Sequence, residues 1–224
     1  MDVREKLELL NEKIKTACDA SGRTPEDITV VAVTKYVSNK RAQEALEAGL
    51  NHLGENRDEG LASKWEHLKD KPVWHFIGSL QSRKVKNIID KVTYIHSLDR
   101  KSLAKEIDKR AEKPVSCFVQ VNISGEESKQ GLPPQEVASF IEGLSQYENI
   151  KVAGLMTMMP NIDDEVELRG YFRKMKNLQT EIAEMKLTHA PCQELSMGMS
   201  NDFMIAIEEG ATFIRVGTAL VGED

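Results

Sequence analysis

The chain has no C-x-x-C pair, no block of basic residues, no long apolar run and no Pro/Gly-rich linker. Each absence removes a class of protein. Cys18, Cys117 and Cys192 are odd in number and far apart, which argues against a disulfide framework and a zinc site. A reducing, cytoplasmic setting is expected. The 30 basic residues against 36 acidic ones leave a formal charge of -6, so nucleic acid is not an expected partner. Met1-Asp2-Val3-Arg4-Glu5-Lys6 is charged and leads into Leu7, Leu10, Ile14 and Ala17, an amphipathic stripe rather than a signal-peptide core. Nothing approaches membrane-spanning length. No repeat of fixed period divides the sequence, and Leu132-Pro133-Pro134 reads as a loop followed by a helix start. One domain over residues 1–224 is therefore expected, as a monomer.

What is present is a regular alternation of short β-branched or aromatic runs with longer helical patterns, the signature of repeated βα units and a parallel sheet. An opening helix near Val3–Ala20 is followed by strand candidates at Thr29–Thr34, His52–Glu55, Val73–Ile77, Tyr94–Ser97, Ser116–Asn122, Val152–Met156, Gln193–Ser196 and Phe213–Val216. The clearest helix runs from Glu165 to Met185, where Leu168, Phe172, Met175, Leu178, Ile182 and Met185 form a core stripe behind the anions Asp163 and Asp164. Arg83, Lys84, Lys86 and Lys91 stand opposite Leu80, Val85, Ile88 and Ile89 and read as the wet face of a helix. Eight strands in this length point to a (β/α)8 TIM barrel with an extra N-terminal helix. A doubly wound open sheet is the alternative.

In a barrel the residues just after each strand build the active face. Lys35 ends the first run, Ile28 to Thr34, where an amine points into the ligand crevice and desolvation lowers its pKa, as a Schiff-base lysine requires; the plainer reading is a lysine that snorkels to water. Asn56, after the second strand, is either a ligand hydrogen-bond partner or the N-cap of the next helix. His75, inside the third strand, is read as a satisfied core histidine, and Met156, Met158 and Met159 as adaptable packing. Ser200 falls at a predicted helix N-terminus, with free N–H groups and positive dipole, and Gly217-Thr218 follows the eighth strand, where backbone can approach a phosphate. Taken singly, these are an ordinary cap and an ordinary turn. Taken with Lys35 they suit an aldehyde that carries a phosphate, and pyridoxal 5'-phosphate is such a ligand. Arg215 then falls beside the ring nitrogen, which a guanidinium leaves unprotonated.

Ala32-Val33-Thr34-Lys35, Leu53-Gly54-Glu55-Asn56-Arg57, Trp74-His75-Phe76-Ile77-Gly78 with Leu80-Gln81, Gly154-Leu155-Met156, Leu195-Ser196-Met197-Gly198-Met199-Ser200 and Arg215-Val216-Gly217 resemble the pyridoxal phosphate homeostasis protein family. The resemblance covers almost the whole chain. It implies a barrel similar to the N-terminal domain of alanine racemase, with pyridoxal phosphate on Lys35 and Asn56, Ser200, Arg215, Gly217 and Thr218 at cofactor-contacting positions. Only Asp58-Glu59-Gly60 departs from the pattern of many relatives. The function implied is reversible holding of the cofactor in vitamin B6 and amino-acid homeostasis, with apo-enzymes as candidate recipients. A fold-type III racemase or decarboxylase is the alternative, and a cofactor-free aldolase is a weaker one. Alanine racemase activity is not expected, because the sequence ends at Asp224 after the eighth strand and Tyr36 is predicted to point away from the mouth.

Overall fold

A computed structural model describes residues 1–222. Its eight strands are β1 (Thr29–Val33), β2 (His52–Glu55), β3 (Val73–Phe76), β4 (Tyr94–Leu98), β5 (Val115–Gln120), β6 (Ile150–Met156), β7 (Glu194–Ser196) and β8 (Phe213–Val216). All pair in parallel with their sequence neighbours, and β1 pairs with β8 through Thr29↔Phe213 to Ala32↔Val216. That last ladder closes the barrel and removes the open-sheet alternative. The expected strands lie within two residues of the observed ones.

The outer ring is α1 (Val3–Ser21), α2 (Asn39–Glu47), α3 (Asp58–Leu68), α4 (Val85–Ile88), α5 (Lys101–Arg110), α6 (Pro134–Glu142), α7 (Glu165–Glu184), α8 (Phe203–Glu208) and α9 (Thr218–Val221). Capping explains several ends. Asp2 and Glu5 form a reciprocal capping box at the start of α1, and Gly22 ends it in the left-handed conformation at φ 67°. Asp164 caps α7 through the Val166 and Glu167 N–H groups. Because α9 is only one turn long, α1 packs on α8, α9 and α2 and fills the gap in the ring. This is the extra N-terminal helix. Glu223 and Asp224, and with them the expectation about where the chain ends, lie outside the described residues.

Two apolar layers follow from strand alternation. One lies between the strands and the helices and holds most of the core, including Trp74, Phe76, Leu98, Phe172 and Ile214. The other is the lumen, where Val31, Phe118, Met156 and Phe213 pack with the half-buried Tyr94. The lumen is not wholly aliphatic. His75 and His96 are fully buried there, and Arg215 is 5% exposed. Of the basic cluster, only Lys86 lies on the single-turn α4; Arg83 and Lys86 are exposed over buried Leu80, Val85 and Ile88, whereas Lys84 and Lys91 are partly buried and paired. Lys84 reaches Asp58 at 2.5 Å and Glu59 at 3.2 Å, tying the β3–α4 segment to the first turn of α3.

Candidate functional site

Alternation along β1 turns Val31 into the lumen and brings Val33 to a cavity of about 730 Å³ at the carboxyl end of the barrel, which the turn after β1 lines with Lys35. Small-ligand sites span this size. Lys35, Asn56, Ser200, Arg215, Gly217 and Thr218 all line it. Six positions spread over the chain thus meet in one cavity.

Asn56 reaches the cavity because the next loop comes close. A Cβ at Gly78 would lie 2.3 Å from the Asn56 carbonyl oxygen, so only glycine allows the β2 and β3 ends to approach this way. Asn56 is not the cap of α3, a position held by Arg57 without a side-chain bond. The cap reading of Asn56 is thereby removed, and its side chain lines the cavity. The departing run Asp58-Glu59-Gly60 is the first turn of α3. Gly60 packs closely on Glu55, where a Cβ would stand 2.7 Å from Glu55 Oε2 and the carboxylate would have to shift. Glu55 itself is buried, accepting from Thr34 Oγ1 at 2.6 Å and pairing with Lys64 at 3.1 Å. Nothing in a single-strand reading signalled that pair.

Four expectations change. Lys35 is exposed rather than desolvated, because it sits in a turn beyond the last paired residue of β1. Tyr36 lines the mouth instead of pointing away, with Lys35 Nζ 4.8 Å from its ring centre; alternation ends with the strand, so it does not govern Tyr36. Ser200 is not a helix cap. It lies in a turn before α8, whose cap position is Asp202, and the Asp202 carboxylate accepts from the Met199 N–H at 2.5 Å. Of the methionines, Met156 and Met159 are buried packing, whereas Met158 lines the cavity.

The floor is Arg215. Its Nη1 donates to Ser196 Oγ at 2.6 Å and its Nη2 to the Thr157 carbonyl at 2.8 Å. Burial pushes its pKa down to about 10, against the opposing pull of the Asp202 carboxylate, so the guanidinium is charged at neutral pH. Its bonded partners are neutral. By contrast, the Asn56 amide, Ser200 Oγ and Thr218 Oγ1 have no protein hydrogen-bond partner among the described residues, although all three face the cavity. The donor set therefore contains one amine, one fixed cation and several unsatisfied polar groups, which suits an anionic ligand that carries an electrophilic carbon. No group of three or more His, Cys, Asp or Glu side chains among the described residues is placed to hold a metal ion. No helix among them is long and apolar enough to cross a membrane.

The sequence reading missed a second polar feature beneath the floor. His75, correctly placed in the core, is bonded on one side to His52 and on the other to His96. The signal was available: three successive strands each carry one histidine at an inward position, His52, His75 and His96.

Comparison with known proteins places this geometry. Residues 12–224 match the family model described as "Alanine racemase, N-terminal domain". The pyridoxal phosphate homeostasis protein of Aquifex aeolicus (strain VF5) is 42% identical over 227 residues, covering 100% of this chain and 99% of that protein. PipY of Synechococcus elongatus PCC7942, in its structure with PLP bound, superposes with a TM-score of 0.85 at 30% identity, covering 99% of this chain and 100% of that one. The alanine racemase of Clostridium difficile 630 shares the fold alone, with a TM-score of 0.75 at 16% identity, and this chain spans 56% of it. The chain carries the alanine racemase N-terminal domain and belongs to the pyridoxal phosphate homeostasis protein family.

Proposed function

We propose that this chain holds pyridoxal 5'-phosphate reversibly in the barrel-mouth cavity and serves vitamin B6 and amino-acid homeostasis in the cytoplasm as a carrier rather than as an enzyme. The observation that carries the reading is the convergence of Lys35, Asn56, Ser200, Arg215, Gly217 and Thr218 on one cavity. The relative PipY, whose structure has PLP bound, supports it. Three buried free thiols at Cys18, Cys117 and Cys192 suit a reducing compartment.

When bound, the cofactor supplies an aldehyde that condenses reversibly with a primary amine, and a ring that draws electrons from what is attached. Lys35 presents the amine. Its exposure leaves water free to reach that amine, which suits a tether that must be undone. Ser200 and Thr218 offer hydroxyl donors to the phosphate, and Gly217 brings backbone N–H groups near with no side chain in the way; its missing Cβ would meet only Val33, at an ordinary 3.6 Å. Asn56 offers an amide for a ring oxygen. Arg215 offers donors and no acceptor, so a ring nitrogen set against it stays unprotonated and the ring is a weaker electron sink.

The enzyme reading has one observation in its favour, the Tyr36 phenol at the mouth. Racemisation needs acid and base on opposite faces of a carbanion. Tyr36 adjoins Lys35 and lies with its ring under Nζ, so both come from one side of the cavity. Of the other tyrosines, Tyr94 lies in the lumen and Tyr147 and Tyr171 belong to the outer layer.

The test is a visible-absorption titration of the cofactor-free chain with pyridoxal 5'-phosphate and, separately, with pyridoxal. A saturable absorption band with the phosphate form and much weaker binding of pyridoxal are expected. Equal affinity for the two would remove the phosphate role from Ser200, Gly217 and Thr218.

A further inference from the structure

The lumen of this barrel contains an unbroken line of hydrogen bonds from one end of the strands to the other. His52, half-buried at the start of β2, places Nδ1 2.9 Å from Nε2 of His75 on β3. His75 Nδ1 lies 2.9 Å from Nε2 of His96 on β4, and His96 Nδ1 lies 2.9 Å from Oγ of Ser196 at the end of β7. Ser196 Oγ in turn accepts from Arg215 Nη1 at 2.6 Å, on the cavity floor. Every link is a side chain, and His75, His96 and Ser196 are fully buried.

The line has a direction, and Arg215 sets it. A guanidinium only donates, so Ser196 Oγ accepts there. The Ser196 hydroxyl proton then needs an acceptor, and His96 Nδ1 is its one other contact among the described residues. With Nδ1 accepting, a neutral His96 carries its proton on Nε2 and donates to His75 Nδ1. The same logic repeats, so His75 donates from Nε2 to His52 Nδ1, and His52 carries its proton on Nε2. The opposite order would strand the Ser196 proton in a dry site.

We propose that His52, His75, His96 and Ser196 are positioning residues that form a proton-ordering relay, fixing Arg215 at the cavity floor and coupling it to the protonation state of the far face of the barrel. Burial, with the neighbouring imidazoles and Arg215 adding to it, holds His75 and His96 well below the usual histidine range, so both are neutral. Burial also lowers His52. The relay keeps its direction through neutral pH and changes only in acid. One proton added to His52 makes both of its ring nitrogens donors. His75 and His96 must then each carry their single proton on Nδ1, with no other proton gained or lost, and His96 comes to donate to Ser196 Oγ. The Ser196 hydroxyl loses its acceptor while still receiving Arg215. Protonation at the far face is thereby felt at the floor. The titratable groups around the line are Tyr94 on β4, stacked on His75 at 4.6 Å, Glu194 on β7, which acts on Tyr94, Arg215 on β8 and Asp202 ahead of α8. Val31, Phe118, Met156 and Phe213 from β1, β5, β6 and β8 are uncharged.

The relay needs no bound cofactor, so it is tested on the ¹⁵N-labelled chain alone by long-range ¹H–¹⁵N correlation of the imidazole rings. At pH near 8, His52, His75 and His96 are expected as Nε2–H tautomers, and titration of His52 in acid should convert His75 and His96 to Nδ1–H. An Nδ1–H tautomer of His75 or His96 in the parent at pH near 8 overturns the proposal. In Ser196→Ala the link to Arg215 is cut, so mixed tautomers and a His52 midpoint shifted upward from the parent's are expected, because protonation no longer has to reverse a fixed order, whereas Ser196→Thr should keep the parent order. Unchanged tautomers and midpoint in Ser196→Ala also overturn it. Loss of cofactor binding with the tautomer order intact would count against the carrier reading and leave the relay standing.

Discussion

At the scale of single residues, the cavity brings together groups that cannot replace one another. Lys35 is the amine at the mouth, Arg215 is a cation with no acceptor, and Ser200 and Thr218 are hydroxyls left without protein partners. A hydroxyl bonded to a charged group contributes roughly 1.5–3 kcal/mol, so Ser200→Ala is expected to weaken retention of pyridoxal 5'-phosphate about ten- to a hundredfold. Gly217→Val should weaken it more, because a branched side chain there would fill space between Val33 and the cavity. Equilibrium dialysis of both variants checks the order, and a Ser200→Ala protein that binds as the parent does would dismiss the serine. Six of the residues that line the cavity were named from the sequence, five because residues just past strand ends converge once a barrel closes and Arg215 because it lies near the end of β8. Lys35's exposure and Tyr36's direction were not legible there. Both depend on the turn after β1, for which strand alternation gives no rule.

At the scale of elements, the loops that carry the site are anchored by ion pairs on the outer layer. Asp58, in the first turn of α3, directly follows the Asn56-Arg57 segment and is bonded to Lys84 and, at 2.7 Å, to Asn87. Burial pushes its carboxyl up, but the hydrogen bonds from Lys84 and Asn87 outweigh that and hold it at about 2, below its ordinary 3.8. A carboxyl depressed on folding stabilises above its unfolded pKa and loses that contribution as pH falls through the folded one. The stability difference between the parent and Lys84→Met is therefore expected to be full above 3.8 and to shrink toward pH of about 2. Urea unfolding across that range measures it. A difference that stays constant with pH would mean that Lys84 acts by packing. α1 and α7 were legible from their apolar stripes, but this tie was not: sequence periodicity shows which face of a helix is wet and not which distant carboxylate a wet lysine finds.

At the scale of the molecule, the barrel separates an apolar outer core from a lumen that mixes aromatic packing with a polar line. Buried parallel strands read as near-continuous apolar runs, which is why fold and strand order were visible in the sequence. The polar line was not, because its partners are about twenty residues apart or, between His96 and Ser196, a hundred, and meet only when the sheet closes. The whole arrangement also bears on catalysis. With Lys35 and Tyr36 on one side and Arg215 at the floor, the cofactor-loaded chain is expected to show no steady conversion of L-alanine to D-alanine in deuterated water. Turnover with deuterium at the α-carbon, absent from Lys35→Ala, would restore the enzyme. The central claim is that Lys35 holds pyridoxal 5'-phosphate. Borohydride reduction of the loaded protein followed by peptide mapping tests it most directly. The account predicts one pyridoxyl label on the peptide containing Lys35 and none in a folded Lys35→Ala protein. A label on another lysine, or a Lys35→Ala protein labelled to the same extent, would contradict it.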